Sequence, residues 1–330
     1  MKTGRLTLIG DAPTDTRSEF AADLEEGLLA APKRISCRWF YDERGSRIFE
    51  EICELDEYYP TRAEAEILRA RSPRIVELVG SDVICVELGS GHAIKTRLLI
   101  DAFFETAANL LYLSVDISPS AIQAGARGLL EAHEGLSVIG IVGEYRRGFE
   151  WMASNAEEKK LVLWLGSSIG NLDRSGGAAF LREIRRHMTR DDHLLMGIDL
   201  RKDKRTLEAA YDDSAGVTAR FNLNVLARIN AEFGGNFELD AFAHEALYED
   251  EAGRVVINLV SLRDQRVRIA DLDLDLALSE GERIHTEDSY KYSATEIDEL
   301  AARSGFERVE HWTDEREQFA LELFRPSVRA

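Results

Sequence analysis

Val86-Glu87-Leu88-Gly89-Ser90-Gly91, followed by Leu110-Leu111-Tyr112-Leu113-Ser114-Val115-Asp116, decides the reading of this chain. Val83 to Leu88 is a short, mostly apolar run that stops at glycines, which suits a strand covered on both faces of a parallel sheet. Lys95 to Phe104 has helical spacing, and Leu110 to Asp116 is a second strand. Gly89 and Gly91 therefore occupy the first strand-to-helix turn, where glycine permits positive φ and lets backbone approach a ligand without a Cβ clash. Asp116 ends the second strand, where a carboxylate can accept from both hydroxyls of a ribose. A dinucleotide fingerprint would add a third spaced glycine, so the pattern favours a nucleoside over a pyrophosphate and argues against an NAD-dependent oxidoreductase.

Working outward, strand and helix keep alternating. Ser118 to Ala132 is helical, with Ser118 as N-cap and Pro119 as first helical residue. Val138 to Val142 and Leu161 to Gly166 read as strands, Gly176 to Met188 as a helix, and His193 to Ile198 as a further strand. The alternation predicts a doubly wound α/β sheet. Before it stand a helix over about 18–31, a short helix at Ile48 to Glu54, and an amphipathic stretch from Arg62 to Val79 with a break or kink at Pro73. After Leu200 the alternation is lost. Residues 204–232 look largely helical, Glu245 to Tyr248 and Arg254 to Val260 look like strands, and an acidic alternating stretch runs from Ile269 to Leu276. These read as an inserted subdomain. A helix at Ala294 to Gly305 and an antiparallel pair, Arg308 to Trp312 and Phe319 to Phe324, return to the sheet.

Composition bounds the partners. The 330 residues carry 41 Lys and Arg against 60 Asp and Glu, a formal net charge of −19, with 45% hydrophobic residues. Basic clusters are short and interrupted by acids, so nucleic acid and anionic membrane are poor partners and a small-molecule substrate is expected. No apolar run reaches the roughly 18–20 residues of a membrane span, and Met1 to Leu6 lacks a signal-peptide core. Cys37, Cys53 and Cys85 form no metal-binding spacing and read as reduced thiols of a cytoplasmic protein. No metal site is expected.

Other residues suggest chemistry. Gly143-Glu144-Tyr145, closing the third strand, could set an aromatic ring against an adenine while Glu144 accepts from its amino group. Asn171 follows Gly166-Ser167-Ser168-Ile169-Gly170 at the end of the fourth strand, and is read either as a turn or helix cap or as an amide acceptor facing a ligand. Tyr58 and Tyr211 are hydroxyl donors suited to a carboxylate, or packing residues. Glu287 and Ser289 are two apart and would share one side of an extended segment. His285 beside them reads as a surface or packing histidine.

Six segments in order then resemble one family. They are Tyr41-Asp42-Glu43-Arg44-Gly45-Ser46, Glu57-Tyr58-Tyr59-Pro60-Thr61-Arg62, Glu87 to Arg97, Gly166 to Leu172, Ala210-Tyr211-Asp212-Asp213 and Thr286 to Lys291. Together they resemble the histidine Nα-methyltransferases of ergothioneine biosynthesis, which trimethylate histidine to hercynine, over almost the whole chain. The resemblance implies a Rossmann-like class I S-adenosylmethionine (SAM) methyltransferase sheet, α/β, at residues 64–199 and 292–330. It implies an inserted and N-terminal α+β substrate-binding subdomain at 1–63 and 200–291. It places Tyr41, Gly89, Lys95, Asp116, Glu144 and Tyr145 around SAM, with S-adenosylhomocysteine as product. It gives Tyr58, Asn171 and Tyr211 the amine and carboxylate of L-histidine, makes Tyr58 and Asn171 the catalytic pair, and gives Glu287 and Ser289 the imidazole. A cytoplasmic monomer is expected. Two departures stand out: Glu144-Tyr145 replaces a common Asp-Phe, and Ile257 replaces a common methionine in the substrate wall, which keeps a tryptophan or tyrosine N-methyltransferase in view. The alternative from another class is a nucleoside-binding module without catalysis.

Overall fold

The computed structural model describes residues 5–10, 16–155 and 157–327. The chain divides into two compact units, one from Met1–Pro13, Pro60–Arg201 and Lys291–Ala330, the other from Thr14–Tyr59 and Lys202–Tyr290. In chain order the strands are β1 (Leu6–Ile9), β2 (Lys33–Arg34), β3 (Ile84–Leu88), β4 (Leu110–Asp116), β5 (Leu136–Val142), β6 (Lys160–Trp164) and β7 (His193–Asp199). They continue as β8 (Phe242–Glu249), β9 (Arg254–Ser261), β10 (Gln265–Ile269), β11 (Leu274–Leu278), β12 (Arg283–Tyr290), β13 (Phe306–Thr313) and β14 (Phe319–Pro326). The helices are α1 (Thr16–Leu29), α2 (Glu43–Cys53), α3 (Tyr59–Val79), α4 (Thr96–Phe103) and α5 (Pro119–Ala132). After them come α6 (Tyr145–Ser154), α7 (Arg174–Arg186), α8 (Lys204–Tyr211), α9 (Val217–Phe233) and α10 (Ala294–Ser304).

In the first unit the described strands form a sheet of order β1-β5-β4-β3-β6-β7-β14-β13. Pairing is parallel from β1 to β7, and β14 joins β7 antiparallel, with β13 antiparallel outside it. Every residue of β3 and β6 is buried, the reason their sequences are nearly unbroken apolar runs. Leu68, Ile75, Leu99, Phe103, Tyr112, Leu163, Leu195 and Phe319 belong to one core cluster of this unit. From β3 the chain steps one way to β4 and β5 and later the other way to β6 and β7. The order reverses at β3, so a ligand crevice is expected outside the carboxyl ends of β3 and its neighbours.

Three features of this unit differ from the sequence reading. Leu6–Ile9, in a stretch expected with the substrate-binding part, pairs with β5 as an edge strand of the large sheet. The α3 helix runs on through Pro73 without the break that was the first of the two expectations, a break or a kink; the helix continues on both sides of the one backbone bond that proline removes. The segment after Gly143 is a helix, α6, and Gly148 inside it is required by packing: a Cβ there would lie 2.9 Å from Val115 Cγ2.

In the second unit the described strands form a sheet of order β2-β12-β9-β8 and a separate β10-β11 hairpin. The stretch 204–232 is two helices. Asp213 ends the gap between them by accepting from Val217 N–H at 2.9 Å and Thr218 N–H at 2.7 Å, after Gly216 has taken a left-handed φ of 70°. The acidic alternation becomes the hairpin, with Ile269, Leu274, Leu276 and Leu278 buried. Phe20, Phe40, Phe221, Leu226, Leu259 and Ile284 share the main core of this unit.

One ion pair in the first unit lies wholly inside protein: Lys291 Nζ stands 2.7 Å from Asp199 Oδ2, and neither side chain is exposed at all. Asp199→Ala should therefore cost about 3–5 kcal/mol, since it leaves the lysine charge buried without its partner. Urea unfolding measures it; a loss below about 1 kcal/mol, the size of a surface pair, contradicts this account.

Candidate active site

The turn after β3 is built from backbone geometry. Gly89 and Gly91 adopt φ of 74° and 49°, and Ala93 follows at 53°. Gly89 N–H donates to Val115 C=O at 2.8 Å, and Ser90 and Ser114 share a hydroxyl bond at 2.6 Å, so the turn is fastened to the end of β4. Asp116 completes the fastening: one carboxylate oxygen accepts from Gly91 N–H and the other from Ser118 N–H, each at 2.9 Å. Burial raises its carboxyl above the ordinary aspartate range, and those backbone donors pull it back down. A carboxylate has about four acceptor sites, so Asp116 keeps capacity for ribose hydroxyls.

Glu144 is the N-cap residue of α6 and Tyr145 its first helical residue. A Cβ on Gly89 would approach Tyr145 Oη to 2.9 Å, which puts the tyrosine hydroxyl over the glycine turn. Lys95 sits at the start of α4, where its ammonium pairs with the buried carboxylate of Glu64. The loop after β6 holds Gly166 and Ser167 at φ of 74° and 57° before the single turn Ser168–Asn171. Asn171 is exposed at the end of that turn. It is not the cap of α7: Asp173 holds that position, accepting from Ser175 and Gly176 N–H.

The second unit gathers the other candidates. Glu287 lies directly opposite Ile257 and Ser289 opposite Val255, so both face the same side of the sheet as those two buried aliphatics. A bulge between His285 and Glu287 makes this possible. Were Thr286 paired regularly instead of bulged, alternation would put Glu287 on the face opposite Ile284. Thr286 takes the bulge and donates its hydroxyl to Ile257 C=O at 3.1 Å. Asp288, on the other side, pairs with Arg254 and with His285 at 3.2 Å each, so His285 has a structural partner. Tyr211 shares a hydroxyl bond with Ser289 at 2.8 Å, and His244 Nε2 bonds the Tyr211 carbonyl at 2.7 Å. Tyr58 stands edge-on to Tyr211 at 6.1 Å, and Tyr41 edge-on to Phe49 at 5.6 Å. Burial, then the neighbouring Tyr211, pushes the Tyr58 hydroxyl well above its usual range, so Tyr58 is a neutral donor at physiological pH. Ile257 is 2% exposed.

A family model described as "Histidine-specific methyltransferase, SAM-dependent" matches residues 20–326. The chain belongs to this family. It is similar to the histidine N-alpha-methyltransferase of Mycolicibacterium smegmatis, at 37% identity over 96% of this chain and 98% of the relative. Similarity to the histidine N-alpha-methyltransferase of Mycobacterium tuberculosis is 39%, over 91% of this chain and 93% of the relative. Ergothioneine biosynthesis protein 1 of Neurospora crassa is 30% identical over 86% of this chain, which spans 32% of that longer protein. The enzyme is thus a SAM-dependent methyltransferase, and its sheet is the Rossmann-like class I form. The glycine turn fits the cofactor: among the described residues, no atom beyond the chain neighbours of Gly91 lies within 4 Å of where its Cβ would stand, so the backbone is open to a close-lying ligand.

Among the buried acids that the sequence pattern does not reveal are Glu64 and Glu87. Glu87 interrupts the apolar run of β3 and is 3% exposed; it accepts from Thr96 Oγ1 at 2.6 Å and from the Tyr112 hydroxyl. An acid inside a strand covered on both faces was the available signal, since it demands such partners. Burial, the largest cause, raises the Glu87 carboxyl from its usual 4.5 to about 7 against the pull of those two donors. Between pH 4.5 and about 7 the unfolded chain releases this proton while the folded chain keeps it, so the contribution of Glu87 to stability falls across that window. The stability of wild type minus that of Glu87→Gln should decline from pH 4.5 to about 7 and then level off. The scale is about 1.4 kcal/mol per unit of displacement. Thermal or urea unfolding over pH measures it, and a difference constant with pH contradicts the shift.

Proposed function

We propose that this enzyme methylates the α-amine of L-histidine, three times in succession, to give hercynine and S-adenosylhomocysteine, as a step of ergothioneine biosynthesis. The observation that carries the reading is the Glu287–Ser289 face of β12, turned by the bulge toward Ile257 and tied to Tyr211. A carboxylate there would accept an imidazole N–H, and the Ser289 hydroxyl would serve the second ring nitrogen. A phenyl ring offers neither group a partner and an indole offers a single N–H, so neither matches the pair as an imidazole with its two ring nitrogens does. The names of the mycobacterial relatives support the same substrate.

Gly89, Asp116, Glu144 and Tyr145 would hold the nucleoside of SAM, with Lys95 and Tyr41 completing its surroundings. When bound, SAM supplies a methyl already activated on a sulfonium. Alignment is then what the chain's residues contribute, and fixed orientation can lower a barrier by on the order of 7–11 kcal/mol without a nucleophile or a metal. Asn171 would accept an N–H of the amine through its amide oxygen and so direct the nitrogen lone pair without adding a competing charge. Tyr58 and Tyr211 would donate to the carboxylate. Because Tyr58 stays protonated, it serves as a donor and the amine proton leaves to water beside it. The first unit is the SAM-binding domain in this reading, the second the substrate-binding domain, and the working protein a cytoplasmic monomer. Among the described residues no helix is long and apolar enough to cross a membrane.

Incubation with labelled SAM and all twenty amino acids, read by mass, tests the reading: histidine carrying three methyls is expected, and label on tryptophan or tyrosine alone, or on nothing, overturns it. Glu287→Ala should lower kcat/KM for histidine about 100-fold or more while changing affinity for S-adenosylhomocysteine by less than about threefold. Equal losses in both would make Glu287 a structural residue. The rate should rise with deprotonation of the substrate amine, and an inflection well below that pKa would assign an enzyme base instead.

A further inference from the structure

Glu64 has no role in the reading so far, yet its surroundings are unusual. Its side chain is completely buried, on α3. Both carboxylate oxygens accept the Gly166 N–H, at 2.9 and 3.0 Å, and Oε2 also pairs with the Lys95 ammonium. The sheet makes room for it. A Cβ on Gly197 in β7 would lie 1.9 Å from Glu64 Oε1, so that strand carries glycine where the carboxylate passes. One acid therefore touches three things: the start of α4, the turn after β6, and the bare backbone of β7.

The turn it grips is strained. Gly166 and Ser167 are successive left-handed residues, and Ser167 is not a glycine. Such a conformation persists only where the surroundings over-determine it. Glu64 fixes the first residue by its N–H, and the Asp199 N–H fixes the second by donating to Ser167 Oγ at 2.9 Å. Gly170 N–H closes the turn on Ser167 C=O at 2.8 Å, directly before Asn171. A change at Gly166 thus propagates over four residues of hydrogen-bonded backbone to Asn171.

We infer that Glu64 is a positioning residue for methyl transfer, setting Asn171 through the Gly166 N–H while holding the Lys95 ammonium at the cofactor end. The inference rests on Asn171 being the residue that directs the amine. Glu64 itself touches neither amine nor methyl, so its removal should act on alignment and leave histidine affinity nearly intact.

Glu64→Gln keeps the shape, removes the charge that binds Lys95, and offers an amide where two acceptors stood. Its kcat should fall about 100-fold, the cost of misplacing a reacting group by about an ångström, with KM for histidine within about threefold. Glu64→Leu/Lys95→Met removes the buried carboxylate and its partly exposed partner together and keeps the fold accessible if the single variant does not purify, because it leaves no unpaired charge beneath the turn. At saturating SAM, where weaker cofactor binding through Lys95 no longer counts, it should show a kcat loss per folded molecule at least as large. The deciding measurement is the cycle with Asn171→Ala at saturating SAM, which takes out any loss of cofactor binding through Lys95: if Glu64 acts through Asn171, adding Glu64→Gln to Asn171→Ala lowers kcat little further. Independent, multiplicative losses overturn the inference, as does a folded Glu64→Gln enzyme with wild-type kcat and merely a lower melting temperature. If wild type itself gives no methylated histidine, the substrate reading has failed instead, and the same cycle run on whichever amine is methylated still tests Glu64.

Discussion

The carboxylate of Asp116 accepts two backbone N–H groups at once, from Gly91 and from Ser118, and so joins the turn after β3 to the turn after β4. Parallel strands place their carboxyl ends side by side, and every turn that leaves them must have its orphan backbone groups satisfied without filling the crevice. Here acids at and beneath the turns fasten the scaffold. Asp116 fastens the glycine turn, Glu64 the turn after β6, Asp199 the end of β7 to Lys291, and Glu87 secures the strand beneath. Asp116 and Glu64 hold the backbone of their turns directly, while Asp199 and Glu87 hold side chains of neighbouring elements.

A reaction that needs only alignment suits such a scaffold. Displacement at an activated methyl requires a nitrogen lone pair on the carbon–sulfur axis, and rigid turns deliver that better than mobile side chains. The left-handed pair Gly166–Ser167 is strain held by hydrogen bonds on both sides, of the kind that concentrates where geometry is functional. In the proposed reading, acceptor recognition follows a different device in the other unit. There a single extra residue in β12 turns Glu287 and Ser289 onto the side of the sheet that carries Ile257.

Much of the first unit was legible in the sequence because strands buried on both faces read as apolar runs, and Ser118-Pro119 and the glycine turn mark helix starts. Its α6 was not, since Tyr145-Arg146-Arg147-Gly148 carries a glycine that only packing against Val115 explains. The β1 strand is four residues long and mostly exposed, and its partner β5 lies over a hundred residues away, beyond any local pattern. In the second unit the shared side of Glu287 and Ser289 follows from strand alternation, but which side faces Ile257 depends on the bulge, and a bulge leaves no mark on local periodicity. The two acids Glu64 and Glu87 were visible as residues but not as buried ones, because burial is a property of the assembled layers.

The central claim is that Glu287 and Ser289 recognise an imidazole. A crystal structure of the enzyme with S-adenosylhomocysteine and Nα,Nα-dimethylhistidine tests it most directly. The account predicts one ring nitrogen within hydrogen-bond distance of the Glu287 carboxylate and the other facing the Ser289 hydroxyl. An imidazole bound away from β12, with Glu287 pointing to solvent, would contradict it.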